Sequence, residues 1–126
     1  IDLLIENGGE VLLSKRIISP WKNLWHFPGG GVLFGESLYE CARRIAREEL
    51  GIEIEIQRFL GILEYPLETV DGDKRHSMSL VLHASPRSKA FFLNGESSEV
   101  RFFKNEVPEK IIPVVGDFLK KAKFLE

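Results

Sequence analysis

Four side chains and a glycine turn between Gly30 and Ile52 have the types and spacing to do chemistry: Glu36, Arg44, Glu48 and Glu49. Arg44 and Glu48 are four apart, so on a helix they share a face and can pair. Glu49 follows Glu48 about 100° round an α-helical axis. Two adjacent carboxylates near the end of a helix repel each other, and the negative end of the helix dipole disfavours them further. A hard divalent cation relieves both penalties, because Mg²⁺ takes oxygen ligands. The run Pro28-Gly29-Gly30-Gly31 just upstream can bring a backbone carbonyl to the same point, since glycine has no side chain in the way. The chemistry open to such a set is the handling of a polyanion. A metal held by oxygen neutralises phosphate charge, orients the oxygens and activates water.

These residues need a loop and a helix to carry them, and the sequence supplies both. Ser37 and Glu40 form an S-x-x-E capping box. Leu38, Cys41, Ala42 and Ile45 recur at helical spacing, which predicts a helix over 37–50 with those four on its buried face. Gly51 stops it. Upstream, residues 1–6 and 10–16 are strand-like runs joined at Asn7-Gly8-Gly9, a β-hairpin. A loop over 17–23 contains Pro20, and 24–27 is a short apolar piece.

Downstream, residues 52–56 alternate with period two, and 59–67 continue the strand signal. A turn over 70–74 leads to a strand over 75–84, and 90–93 and 100–104 read as a further strand pair. Pro113 opens a last helix, with Val114, Val115, Phe118, Leu119 and Ala122 as its apolar stripe. Lys120, Lys121 and Lys123 sit near its C-terminus, where cations are favoured. Strands, a helix, more strands and a helix predict an α/β fold: a mixed β-sheet with helices on both faces, an α/β/α sandwich. The 126 residues suit a single domain, 1–126.

Composition narrows the partners. Lys and Arg number 17 against 19 Asp and Glu, a formal net charge of −2. That balance gives no long-range field for a nucleic-acid polymer, so the expected partner is a small molecule whose charge is met locally. No apolar run approaches the ~18 residues of a membrane span, and no signal peptide is read. Cys41 is the one cysteine, which fits a reducing compartment, and the cytoplasm is the expected location. The chain opens at Ile1 within a strand-like run, so a few residues are expected upstream.

Residues 30–52 resemble the Nudix box, G-x5-E-x7-R-E-U-x-E-E-x-G-U with U aliphatic. Gly30, Glu36, Arg44, Glu48, Glu49, Gly51 and Ile52 fall on it with the right spacing. Ile45 stands where the pattern has Glu, and Ala46 is small for its aliphatic slot. The flanks agree: Trp25-His-Phe-Pro-Gly-Gly30 looks like the family's lead-in, and Glu99-Val-Arg-Phe-Phe103 like its late strand. The resemblance implies a Mg²⁺- or Mn²⁺-dependent hydrolase of a nucleoside diphosphate linked to another moiety. It implies Glu48 and Glu49 as metal ligands with the Gly30 carbonyl as a third. It implies a Glu36–Arg44 pair that holds loop against helix, and places Arg44 and Glu48 in the catalytic machinery.

The family's Glu at the slot of Ile45 serves in many members as a base or extra ligand, and Ile45 can do neither. The GDP-mannose mannosyl hydrolases also carry an apolar residue there, and they resemble this chain beyond the box: Asp2-Leu-Leu-Ile-Glu-Asn7, Leu-Leu-x-Lys-Arg16 followed by Pro20, and Trp25-x-x-Pro-Gly-Gly30. Those enzymes break the sugar C–O bond with a His base in a late loop. Here Ser97 falls at that His, Gly31 replaces an Arg of that branch, and Glu48 is kept where the branch lacks it. The resemblance thus supports a nucleotide sugar such as GDP-mannose and leaves the bond cleaved open. Glu96 and Glu99 are the candidate bases, with His76 and Glu64 behind them. Arg16, Asp2 and Phe27 are the expected substrate contacts. An Arg fork suits phosphate oxygens, whereas Trp25 and Phe27 read as core before they read as base-stacking groups. ADP-ribose and oxidised nucleoside triphosphates are the alternative substrates, and a nucleotide-binding module without catalysis is the rival from another class. A homodimer is common among resembling enzymes.

Overall fold

The computed structural model describes residues 1–19, 21–87 and 97–126. Strands β1 (Asp2–Asn7) and β2 (Glu10–Arg16) form the expected antiparallel hairpin. Gly8 and Gly9 take φ values of 60° and 85°, the two left-handed positions that a tight hairpin turn requires. The short β3 (Trp25–His26) pairs with β2. Helix α1 (Leu38–Ile45) then runs into a π-helical turn over Ala46–Leu50. A long β4 (Ile54–Glu64), a small hairpin of β5 (Glu68–Val70) and β6 (Asp73–Arg75), β7 (Met78–Pro86), β8 (Ser97–Lys104) and α2 (Pro113–Lys121) follow. No helix among the described residues is long and apolar enough to cross a membrane.

The sheet is mixed, as the sequence predicts. Its order is β3-β2-β1-β7-β4, with β8 also paired to β2. The β1–β7 pair is parallel and every other pair is antiparallel. Strand alternation sends successive side chains to opposite faces, and two cores result. Leu3, Ile5, Leu12, Leu82 and Ala84 pack with Cys41, Ala42 and Ile45 of α1 on one face. Leu4, Val11, Leu13 and Val81 pack with Val115 and Leu119 of α2 on the other. Burying one such aliphatic side chain is worth ~1.5–3 kcal/mol, so each helix is held chiefly by its stripe rather than by its own short hydrogen-bond ladder.

Several boundaries differ from the sequence reading. The runs over 52–56 and 59–67 merge into the single strand β4, which absorbs register shifts between Ile56 and Arg58 and between Phe59 and Gly61. Extra residues at a bulge upset period two locally, which is why the sequence looks like two strands. The turn over 70–74 is the tip of the β5–β6 hairpin, with Asp71 and Gly72 at positive φ. Leu38, the first residue of the helix, is 41% exposed rather than buried. The strand expected over 90–93 and the candidate base Glu96 lie outside the described residues.

Candidate active site

Arg44 is the hub of the loop and helix. Its Nε donates to Glu36 Oε2 at 2.7 Å and its NH2 to Glu36 Oε1 at 3.0 Å, a two-pronged pair. The same NH2 donates to the Gly31 carbonyl at 2.7 Å, and NH1 to Glu48 Oε2 at 3.1 Å. One planar guanidinium therefore fixes the loop's glutamate, its glycine carbonyl and the first box carboxylate together, a task for which a fork of donors suits Arg and not Lys. Glu36 also accepts the Leu33 N–H at 3.0 Å. With Arg44 as first cause and that N–H as second, the Glu36 carboxyl is held down to about 2. Glu36 in turn pushes Arg44 above the ordinary guanidinium range. The capping box is present, with the Glu40 N–H on Ser37 Oγ at 3.1 Å and the Ser37 N–H on Glu40 Oε2 at 3.4 Å.

Glu48 and Glu49 lie in the π-helical turn, not in α-helix as the sequence suggests. A π-turn has more residues per turn, so neighbouring side chains diverge less than the 100° of an α-helix. The turn closes on Gly51 at φ 67°, whose N–H reaches back to Arg47 O at 3.0 Å. Glu48 is exposed and Glu49 half-buried. Ile45, by contrast, is 1% exposed and belongs to the α1-side core. Its side chain lies under Gly30, where an added Cβ would meet Ile45 Cγ1 at 3.4 Å. The apolar residue at this slot is thus part of the packing under the glycine loop.

Gly30 pairs reciprocally with Ile1: each main-chain N–H meets the other's carbonyl at 3.0 Å. The Leu3 N–H takes Pro28 O at 2.8 Å. The glycine loop is therefore zipped along β1, with one lone pair of the Gly30 carbonyl in use. Gly29 has to be glycine, because a Cβ there would sit 2.1 Å from Asp2 Oδ1. Among the described residues no three His, Cys, Asp or Glu side chains converge as a ready-made metal cage. Two neighbouring carboxylates and the Gly30 carbonyl are an all-oxygen donor set. That set fits Mg²⁺ or Mn²⁺, which can complete their shells with water and substrate phosphate.

A cavity of about 420 Å³ opens beside the glycine loop, walled among others by Asp2, Arg16, Trp21, His26, Tyr65 and Glu68. Asp2 is 8% exposed and accepts the Tyr65 hydroxyl at 2.7 Å. Burial raises the Asp2 carboxyl and, with Asp2 beside it, the Tyr65 hydroxyl. Burial, then the charge of Arg16, lowers His26 to about 4, and its Nε2 is enclosed without a hydrogen-bond partner among the described residues. Asp2 and Arg16 thus stand together at the cavity, 14 residues apart in sequence but joined by the β1–β2 hairpin.

Phe27 is a correction. It lies at the cavity but is 0% exposed, in edge-to-face contact with Phe118 at 6.2 Å. A ring with no free face supports the cavity from the core and cannot stack on a base. Glu99 does not stand free either. It lies on the α2-side face, shared by Phe103, while its neighbours Val100 and Phe102 face α1. Lys15 Nζ reaches Glu99 Oε1 at 3.4 Å and Arg101 reaches Oε2 at 3.0 Å. His76 and Glu64 pair with each other at 2.9 Å, both well exposed. Sequence reasoning missed Tyr65, His26, Trp21 and Glu68. Tyr65 meets Asp2 and Trp21 meets Glu68 across tens of residues, and no spacing rule reaches across a sheet.

A family model described as the NUDIX domain matches residues 1–121. The low-salt glycan biosynthesis protein Agl8 of Haloferax volcanii is 31% identical over 107 residues, 82% of this chain and 69% of its own length. An ADP-ribose pyrophosphatase of Methanocaldococcus jannaschii is 31% identical over 111 residues, 86% of this chain. The chain spans only 63% of that relative. A crystal structure of a MutT NUDIX hydrolase from Burkholderia pseudomallei superposes with a TM-score of 0.81 at 24% identity, covering 94% of this chain and 92% of the other. A box built round Arg44, a mixed sheet between two helices and a domain match over nearly the whole length have one meaning: the chain belongs to the Nudix hydrolase family.

Proposed function

We propose that this protein hydrolyses a nucleoside diphosphate joined to another moiety, with a nucleotide sugar such as GDP-mannose as the favoured substrate. The observation that carries the reading is the Arg44 clamp beside a polar cavity: a pair of carboxylates on one side of the glycine loop, a pocket of mixed polar groups with one guanidinium, Arg16, on the other. Glu48 and Glu49, with a glycine carbonyl, would hold a divalent cation, which when bound supplies charge neutralisation of the diphosphate and an acidified water. Arg44 keeps Glu48 and the loop in register with each other. Arg16 offers a guanidinium to phosphate oxygens from the cavity wall. Glu96 is the proposed proton acceptor, since Glu99 is engaged by two cations.

Two relatives support a sugar-linked substrate. One is named for glycan biosynthesis, and the other for ADP-ribose, itself a nucleoside diphosphate joined to a sugar. The test is a screen of nucleotide sugars, ADP-ribose and oxidised nucleoside triphosphates, with Mg²⁺ or Mn²⁺ present and then chelated. The expected result is fastest turnover of a nucleotide sugar, abolished by the chelator. The same reaction in ¹⁸O-water separates P–O from C–O cleavage by where the label enters. Tight nucleotide binding with no turnover of any substrate would instead favour a binding module, the reading that the buried Ile45 supports.

A further inference from the structure

We propose that Trp21 and Glu68 form a specificity clasp across the mouth of the cavity, selecting a hydroxyl-rich, uncharged terminal group over a terminal phosphate. The inference rests on the hydrolase reading above and adds to it which end group is accepted. The Trp21 indole N–H donates to Glu68 Oε1, joining the loop after β2 to the β5–β6 hairpin across 47 residues. Both side chains line the cavity.

The loop holds Trp21 at φ 65°, a left-handed conformation that a bulky residue adopts only when its surroundings fix it. That fixing is visible. The Asn23 N–H meets Arg16 O at 2.8 Å, and the Arg16 N–H meets Leu24 O at 3.1 Å. The strain is local, and what it achieves is an indole placed against a carboxylate at the cavity rim.

The chemistry of the pair decides what it accepts. An aromatic ring offers an apolar face to the C–H side of a sugar ring. A carboxylate takes only hydrogen-bond donors, so sugar hydroxyls suit Glu68. A terminal phosphate has few donors and a like charge, and juxtaposed like charges are unfavourable. Asp2, deeper in the same cavity, adds a second acceptor.

The experiment compares kcat and KM for a nucleoside diphosphate sugar and for the nucleoside triphosphate of the same base, in the wild type, Trp21→Phe and Glu68→Gln. Glu68→Gln keeps the size of the side chain and Trp21→Phe keeps an aromatic ring without the N–H, and thermal melts report whether they fold. The clasp predicts that kcat/KM for the sugar falls on the order of tenfold, through KM, as expected for a hydrogen bond to a charged group. The triphosphate should be unaffected in Trp21→Phe and gain in Glu68→Gln. The double variant should lose little more than the worse single one, because the two residues share one hydrogen bond. An unchanged sugar-to-triphosphate ratio in both variants, or equal loss on both substrates, overturns the clasp and leaves the hydrolase reading standing. A wild-type protein that turns over neither substrate overturns the hydrolase reading itself, and is recognised without any variant.

Discussion

The two sides of the glycine loop treat polar groups in opposite ways. At the Arg44 clamp the groups are ionised and kept so by partners: Glu36 is held down to about 2 by Arg44, and Arg44 is pushed up by Glu36. At the cavity floor the groups are driven toward neutrality by burial: Asp2 and Tyr65 are raised, and His26 falls to about 4. Specific donors and desolvation are separate levers on a titratable group, and this fold uses one on each side of a few residues of backbone. A substrate with a highly charged half and an uncharged half matches that division. The contrast also says where substitutions should hurt turnover and where they should alter stability.

The largest effect is expected at the acidic pair. Glu49→Gln should lower turnover by orders of magnitude while the melting temperature barely moves, since an exposed or half-buried carboxylate contributes little to folding. Glu96→Gln should lower turnover by the ~10²–10⁴ of a lost general base. Full activity in both would take the metal and base roles away from these two carboxylates. Next comes the clamp. Arg44→Lys keeps the charge but cannot hold Glu36 through two donors while also reaching Gly31 and Glu48. Small misplacement of a reacting group can cost about a hundredfold, and that is the expected loss in kcat. Glu53→Gln is the control. Its partner Arg47 lies at 2.8 Å, but both side chains are more than half exposed, so neither activity nor stability should change appreciably.

The clamp was legible in the sequence because its members are local. Glu36, Arg44 and Glu48 lie within one loop and one helix, and helical spacing with a capping box fixes their relation. The β1–β2 hairpin was legible for the same reason, through two strand-like runs joined at Asn7-Gly8-Gly9. What escaped is what tertiary pairing creates. Asp2 meets Tyr65 only because parallel β1–β7 pairing and antiparallel β7–β4 pairing bring residues 2, 65 and 79 to one end of the sheet. The π-helical turn escaped because one inserted position leaves no mark in apolar periodicity. For Phe27 the sequence offers both a core place and a substrate contact, because a ring next to a glycine loop reads the same whether it faces the cavity or α2, and the ring is buried.

The cavity side should show itself in stability against pH. His26 has its folded value lowered from 6.5 to about 4, so between those limits the unfolded chain binds more protons. Its contribution is complete above 6.5 and is lost as pH falls toward about 4. Asp2 has the opposite sign. Its folded value is raised above 3.8, so the folded chain binds more protons there and stability is lost as pH rises through that window. Asp2→Asn keeps the neutral shape without the titration. Urea unfolding in steps from pH 4 to pH 8 should therefore show the variant gaining on the wild type as pH rises. A difference independent of pH would mean that Asp2 is not held toward its neutral form.

A small effect, next to that of the Glu53 control, is expected at Glu99, and it separates a carboxylate in an ion-pair cluster from one that works on substrate. Glu99 sits opposite Lys15 in the β2–β8 register, and its two oxygens are divided between Lys15 and Arg101. Those two cations also lie over the Trp25 ring, at 5.6 and 5.3 Å from its centroid. The cluster ties β8 to β2 on the face away from α1. Glu99→Gln keeps the shape and gives up two partly exposed ion pairs, each worth ~0–1 kcal/mol. Turnover should stay within about threefold of wild type, well short of the loss that follows removal of a general base. A drop of a hundredfold, with the melting temperature unchanged, would return Glu99 to the chemistry and show that it leaves Lys15 and Arg101 when substrate arrives.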